Sequence, residues 1–167
     1  TGNIFVGWNT NADGSGISYA AGVAFSMVTS NVTLYAQWTV NPTYTVTYNG
    51  NGNSGGSAPV DNNNYTTGAS VTVLGNTGAL VKTGYTFIGW NTQANGNGTS
   101  YAGGATFEMG SVSVTLYARW TANPTYTVTY LGNGSGGGTV PKDNNNYLTG
   151  ANVTMLGNTG ALARTGY

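Results

Sequence analysis

Tyr44-Thr45-Val46-Thr47-Tyr48 alternates aromatic or aliphatic side chains with threonine, and the same five residues return as Tyr126-Thr127-Val128-Thr129-Tyr130. A period of two puts every second side chain on one face of an extended backbone, the pattern of a half-buried strand. Working outward, Ser70-Val71-Thr72-Val73-Leu74 alternates less strictly, and Tyr85-Thr86-Phe87-Ile88-Gly89-Trp90 is an aromatic-rich run. In Val114-Thr115-Leu116-Tyr117-Ala118-Arg119-Trp120, alternation sets Val114, Leu116, Ala118 and Trp120 on one face and Thr115, Tyr117 and Arg119 on the other. Between these runs lie Asn- and Gly-rich stretches at 49–57, 61–64, 75–78 and 91–98. Asn and Gly supply the left-handed positions of tight turns. No window carries the i, i+3, i+4, i+7 stripe of an amphipathic helix. Any helix is confined to one short segment near Ala79 to Lys82. The fold class is mainly β, with little or no helix.

The chain also repeats itself. Shifted by 82 residues it aligns without a gap, and 57 of the 85 available pairs are identical. Trp8 falls on Trp90, Trp38 on Trp120, Pro42 on Pro124 and Asp61 on Asp143. Fixed-period self-similarity marks a tandem array of small units. The Asn41-Pro42 and Asn123-Pro124 dipeptides lack an amide donor and favour extended geometry, as linkers do. They divide the chain into the back half of a repeat (1–38), a linker (39–43), a complete repeat (44–120), a second linker (121–125) and the front half of a repeat (126–167). Isolated halves are expected to fold incompletely, because strand faces such as Val114/Leu116/Trp120 would lack partners in them.

Composition narrows the function. Of 167 residues, 77 are Gly, Thr or Asn, only eight are charged, the net charge is zero, and there is neither His nor Cys. No thiol nucleophile, imidazole base or ordinary zinc, haem or iron–sulfur site can be assembled from such a chain. Asp13, Asp61, Glu108 and Asp143 are the entire carboxylate set. We therefore expect no enzyme and no cofactor. Four dispersed cations argue against nucleic acid, and no stretch reaches the ~18 apolar residues of a membrane-inserting helix. Disorder is also disfavoured, since 39% of the residues are hydrophobic and 12% aromatic.

Three segments carry a resemblance: Tyr44 to Gly52 (YTVTYNGNG), Thr83 to Thr92 (TGYTFIGWNT) and Thr115 to Trp120 (TLYARW). Together they resemble the internalin B-type, or Listeria–Bacteroides, repeat, matched once in full and twice in part. The resemblance implies small β-grasp-like units in tandem in bacterial surface and secreted proteins, serving as stalks and adhesive modules. No catalytic residues come with it. A long Asn/Gly loop region and the very low charge set this chain apart.

Several residues invite a site reading. Asp13-Gly14-Ser15-Gly16 has the look of a calcium turn, as do Asp61-Asn62-Asn63-Asn64 and Asp143-Asn144-Asn145-Asn146, because hard cations want clustered oxygens. The copy of the first, Asn95 to Gly98, has no carboxylate, and none has a bidentate Glu nearby, so Gly-rich and Asx turns compete for the same residues. Glycosylation sequons begin at Asn31, Asn64, Asn97, Asn133 and Asn152, but 22 Asn and 27 Thr produce such matches by chance. A Lys–Asn isopeptide bond is disfavoured, since Lys82 is replaced by Arg164 and Lys142 by Val60 in the copies. Trp8, Trp38, Trp90 and Trp120 could stack on sugars. Recurring at two phases of the repeat, they read rather as core aromatics, with Tyr44, Tyr126, Tyr85 and Phe87.

The composition suits a structural role. A neutral surface offers little repulsion between copies, and β edges short of lysine invite pairing. We expect an extracellular or cell-surface bacterial protein that builds a fibre, sheath or stalk and whose partners are copies of itself. If the tail of one molecule completes the head of the next, the contact does not close and a filament grows. Equally, the repeats could be joined covalently in one longer polypeptide. The alternative is an adhesin module that binds surface glycans or a neighbouring protein.

Overall fold

In the computed structural model, which describes residues 2–166, the chain forms thirteen strands in five sheets. Thr1 and Tyr167, the outer bounds of the two half repeats, lie outside the described residues. The leading segment holds β1 (Asn3–Asn9), β2 (Ser18–Tyr19) and β3 (Tyr35–Val40), in the order β2-β1-β3. The central segment opens with β4 (Thr43–Tyr44), β5 (Val46–Asn49), β6 (Tyr65–Thr66) and β7 (Ser70–Thr72). It continues with β8 (Tyr85–Asn91), β9 (Ser100–Tyr101), β10 (Thr106–Glu108) and β11 (Val114–Ala122). The trailing segment has β12 (Thr125–Tyr126) and β13 (Tyr147–Leu148), which pair with each other.

No helix occurs among the described residues, so the fold is mainly β, as the alternation predicts. Where the sequence allows a short helix near Ala79 to Lys82, a turn at Asn76 to Ala79 leads into Val81 and Lys82, which form isolated bridges with Gly55 and Tyr85. Asn76 brackets the turn by accepting from the Leu80 amide at 2.7 Å and donating to the Leu80 carbonyl at 2.9 Å, and Ala79 adopts a left-handed φ of 50°. A side chain that satisfies the backbone locally competes with the helix that Ala and Leu would otherwise favour. Strands reach into both expected linkers, since the β1–β3 ladder runs on to Val40 and the β8–β11 ladder to Ala122.

The core lies in the central segment. A four-stranded sheet, β5-β11-β8-β9, packs with the β7–β10 pair around Val46, Tyr48, Val71, Val73, Leu80, Trp90, Met109, Leu116 and Ala118. Five of these nine come from the first half of the segment and four from the second. Two seams join the halves: β5 runs parallel to β11 (Val46↔Val114 to Asn49↔Tyr117), and β7 runs antiparallel to β10 (Thr72↔Thr106). Trp90 crosses the same boundary, its indole donating to the Leu74 carbonyl at 2.9 Å while its ring meets Tyr48 edge-on at 4.8 Å.

One glycine governs the main ladder. The β8–β11 register shifts between Arg119 and Trp120, opposite Gly89, whose φ is +123°. A Cβ there would sit 2.8 Å from the Tyr101 carbonyl oxygen. Gly7 meets the same constraint on β1, with a φ of +147° and an added Cβ only 2.7 Å from the Tyr19 carbonyl oxygen. A bulge fixed in this way turns the strand and re-aims the tryptophan that follows it.

Burial separates two tryptophans in identical local sequence. Trp90 is fully buried, whereas Trp8 is 39% exposed. Trp90→Ala is therefore expected to cost about 3–5 kcal/mol, the usual toll for emptying a buried aromatic site. Trp8→Ala in dilute chain should cost about 1 kcal/mol or less. Urea unfolding followed by far-ultraviolet circular dichroism compares them; equal losses would contradict the placement of the core.

Candidate functional site

The leading segment reproduces the second half of the central one. Phe5↔Trp38, Gly7↔Gln37 and Trp8↔Ala36 repeat the register of Phe87↔Trp120, Gly89↔Arg119 and Trp90↔Ala118. Phe5 lies edge-on to Trp8 at 5.3 Å and to Trp38 at 5.6 Å; Phe87 lies 5.2 Å from Trp90 and 5.7 Å from Trp120. Asn9 and Asn91 anchor the loops that follow and are fully buried. Asn91 donates to the carbonyls of Gly96 and Gly98 and to Ser100 Oγ, and accepts from the amides of Gln93 and Gly98. Asn9 makes the corresponding five bonds. A buried amide must be satisfied, and here it replaces the ladder that a loop lacks.

The trailing segment likewise reproduces the first half of the central one. The Leu156 amide donates to Tyr130 Oη at 2.9 Å, as Leu74 does to Tyr48 at 2.8 Å. Asn158 brackets Leu162 as Asn76 brackets Leu80, and Gly137 bridges Ala163 as Gly55 bridges Val81. What is missing from both flanks is the set of contacts that, in the central segment, crosses between halves. Among the described residues no parallel strand lies beside Val32–Tyr35 or Val128–Leu131, Tyr35 pairing with Asn9 of β1 alone, and neither 24–26 nor 152–154 is paired.

The consequence is two apolar surfaces. Met27 is 65% exposed where Met109 is buried, and Met155 is 65% exposed where Val73 is buried. Leu34, Ala36, Val128, Tyr130, Val153 and Leu162 are all half-buried, at positions that are buried in the central core. An open groove beside Tyr126, Val128, Tyr147 and Val153 marks the trailing surface.

The aromatic residues expected in the core divide accordingly. Trp90 is in it, and Tyr44, Phe87 and Trp120 pack against it. Trp8, Trp38 and Tyr126 are exposed instead, because the half that would cover each is not beside it. Tyr85 is exposed at the start of β8, where Lys82 Nζ sits 4.8 Å above its ring. That cation–π contact is what the structure gives Lys82. All five sequon asparagines (Asn31, Asn64, Asn97, Asn133 and Asn152) are on the surface.

The three aspartates each close a turn. Asp13 accepts from the Ser15 amide and hydroxyl, which hold its carboxyl below the usual range. Asp61 accepts from Asn63 through its amide and side chain, and Tyr65 Oη donates to its second oxygen at 2.8 Å. Asp143, Asn145 and Tyr147 repeat the arrangement, at 2.7 Å for the phenol. Among the described residues no three His, Cys, Asp or Glu side chains gather as metal ligands. No helix of the described residues is long and apolar enough to cross a membrane. The sequence reading missed Asn9 and Asn91, although both stand in the recurring Gly-Trp-Asn-Thr block; an Asn that follows a core Trp directly was the available signal.

The pattern of the Listeria-Bacteroides repeat domain matches residues 1–37 and 44–119. The chain belongs to that family. It is 43% identical over 139 residues, 80% of its length, to a protein of Evansella cellulosilytica provisionally named a Gly-rich membrane protein. A second protein of that organism, provisionally named a membrane protein, is 44% identical over 97 residues, 58% of the chain. The chain spans only 16% and 14% of these two relatives. No solved structure matches it significantly.

The aspartate turns carry a pH signature. The phenol bond from Tyr147, with help from Asn145, holds the Asp143 carboxyl below its ordinary 3.8, and the same bond raises Tyr147 above 10.0. Its stabilisation of the loop is therefore present above pH 3.8 and lost as pH falls through the lowered carboxyl value. On the alkaline side it holds below pH 10.0 and fades as pH rises through the raised phenol value. Asp143→Asn should return the Tyr147 titration toward 10.0, read from tyrosine ring-carbon shifts by NMR. An unmoved titration would mean that the bond does not form.

Proposed function

We propose that the chain is a structural, non-enzymatic part of a bacterial surface protein, a run of serial β units building a fibre, sheath or stalk outside the cell. On this reading residues 44–120 form the complete unit, with 1–38 and 126–167 the halves of its neighbours and 39–43 and 121–125 the links. The units are of the internalin B-type and β-grasp-like. One observation carries the proposal: the flanking segments make the same internal bonds as the two halves of the central segment, so the chain is a periodic array. Periodic arrays in which each unit touches only its neighbours suit length and reach rather than chemistry. The relatives named as membrane proteins support a place in the cell envelope. With neither His nor Cys and four carboxylates, the composition offers little material for catalysis.

A second reading, an adhesin module, is favoured by the exposed rings of Trp38, Tyr35 and Tyr126, since flat amphipathic faces stack on sugars. It predicts saturable quenching of tryptophan fluorescence by a surface polysaccharide and its loss in Trp38→Ala.

Antibodies against residues 1–167, applied to intact cells of the producing bacterium, test the structural reading. Labelling along filaments or a layer outside the envelope is expected; no labelling of intact cells, with labelling only after permeabilisation, would overturn it.

A further inference from the structure

We propose that a cleft inside the central segment binds an acidic sugar, with Arg119 taking the carboxylate of a uronate unit. The proposal rests on the adhesin reading above and gives it a site and a ligand class. The cleft measures about 300 Å³, the small end of the range for ligand sites. It opens between β11 and the loop after β8, and Asn51, Ile88, Asn95, Arg119 and Trp120 are among its walls. All five belong to the complete repeat, where both halves are in place.

Alternation turns Arg119 away from the core that Leu116 and Ala118 enter. Arg119 is half-buried, yet among the described residues it has neither an ion pair nor a hydrogen bond. No side-chain nitrogen or oxygen there is buried without a partner, so its donors reach solvent. Neither acid of the central segment lines the cleft: Asp61 is bonded to Tyr65 in its own turn, and Glu108 stands on β10 opposite Ser70. A planar guanidinium with free donors takes a carboxylate through two parallel bonds. Asn95 accepts from the Asn97 amide at 3.0 Å, which fixes its side chain and leaves Nδ2 to donate to a ligand oxygen. Ile88, 46% exposed, and the half-buried Trp120 offer an apolar wall for the C–H face of a sugar ring.

Two further observations narrow the ligand. The main-chain carbonyls around the cleft are already taken, those of Ala94 and Ala118 by Asn51 and that of Gly96 by Asn91. A peptide that adds by strand pairing therefore finds no edge, and recognition falls to side chains. The leading copy carries Asp13 and Gln37 where the central one carries Asn95 and Arg119. Both exchanges run the same way, a carboxylate lost and a cation gained, so the central unit suits an anion and the leading one does not. The same comparison shows that the scaffold accepts either set, since Gly7↔Gln37 repeats the register of Gly89↔Arg119.

Titration of the isotope-labelled full chain with oligogalacturonate, followed by NMR, tests the site. Saturable shifts are expected at the Arg119 Nε–H, the Asn95 side-chain amide and the Trp120 indole N–H. Arg119→Gln and Asn95→Asp each install the residue of the leading copy, so the fold should persist while binding weakens about tenfold or more. Arg119→Lys should weaken it less than Arg119→Gln, because the charge stays and only the second parallel bond is lost. The carboxyl-reduced oligosaccharide should bind about tenfold more weakly than the acid. Absence of saturable shifts, unchanged affinity in Arg119→Gln, equal binding of the reduced sugar, or equal shifts with a polyglutamate peptide would overturn the proposal. If Trp38→Ala abolishes polysaccharide quenching while Arg119→Gln does not, the adhesin reading stands and this cleft falls.

Discussion

The pairing of β5 with β11 closes the core, and everything else in the fold is arranged around it. Its two strands stand 68 residues apart in sequence, and parallel geometry rules out a simple hairpin between them. The seam brings Val46 and Tyr48 of the first half onto Leu116 and Trp90 of the second. None of these side chains can be dry without the other half. Because loop closure must come before the apolar contacts that repay it, folding of the unit is expected to hinge on this long-range step.

The same constraint explains why identical letters behave differently along the chain. Trp8 and Trp90 follow equivalent glycines, precede equivalent asparagines and pair with equivalent alanines, yet only Trp90 is dry. Local structure is settled within a half: the bulge at Gly7, the Asn9 loop and the Phe5 ring contacts form without help. Burial is settled between halves. Each half is thus a preformed surface, and a tandem chain of them is a series of identical joints, consistent with the neighbour-only energetics of repeat proteins.

Much of this was legible in the sequence. The runs 85–90 and 114–120 became β8 and β11, the first read from its aromatic content and the second from its alternation, signals that have few other uses. The 44–48 run became two strands, β4 and β5, interrupted at Thr45, whose amide is taken by Ser113 Oγ. Three features could not be read. Alternation does not name a partner, so the parallel β5–β11 seam was hidden. Thr106–Glu108 is too short to show a period, and it pairs because β7 lies alongside. Asn91 and Ala79 were misread for a common reason: Asn is ordinarily an exposed turn residue and Ala a helix former, and here side-chain-to-backbone bonds made one buried and the other left-handed. The candidate surface was visible only as a phase of the repeat; its residues became definite once the central segment supplied the template.

Hydrogen exchange of backbone amides in dilute monomer tests the central claim most directly, that a dry core requires both halves. The Gly68, Val73 and Met109 amides cross the β7–β10 seam, to the carbonyls of Met109, Ala105 and Ala69 respectively, and Val114 crosses to Thr45. The account predicts strong protection at these four positions and fast exchange at their counterparts Gly150, Met155, Met27 and Val32. Equal protection of both sets in the monomer would contradict it, because the halves would then be closing without partners.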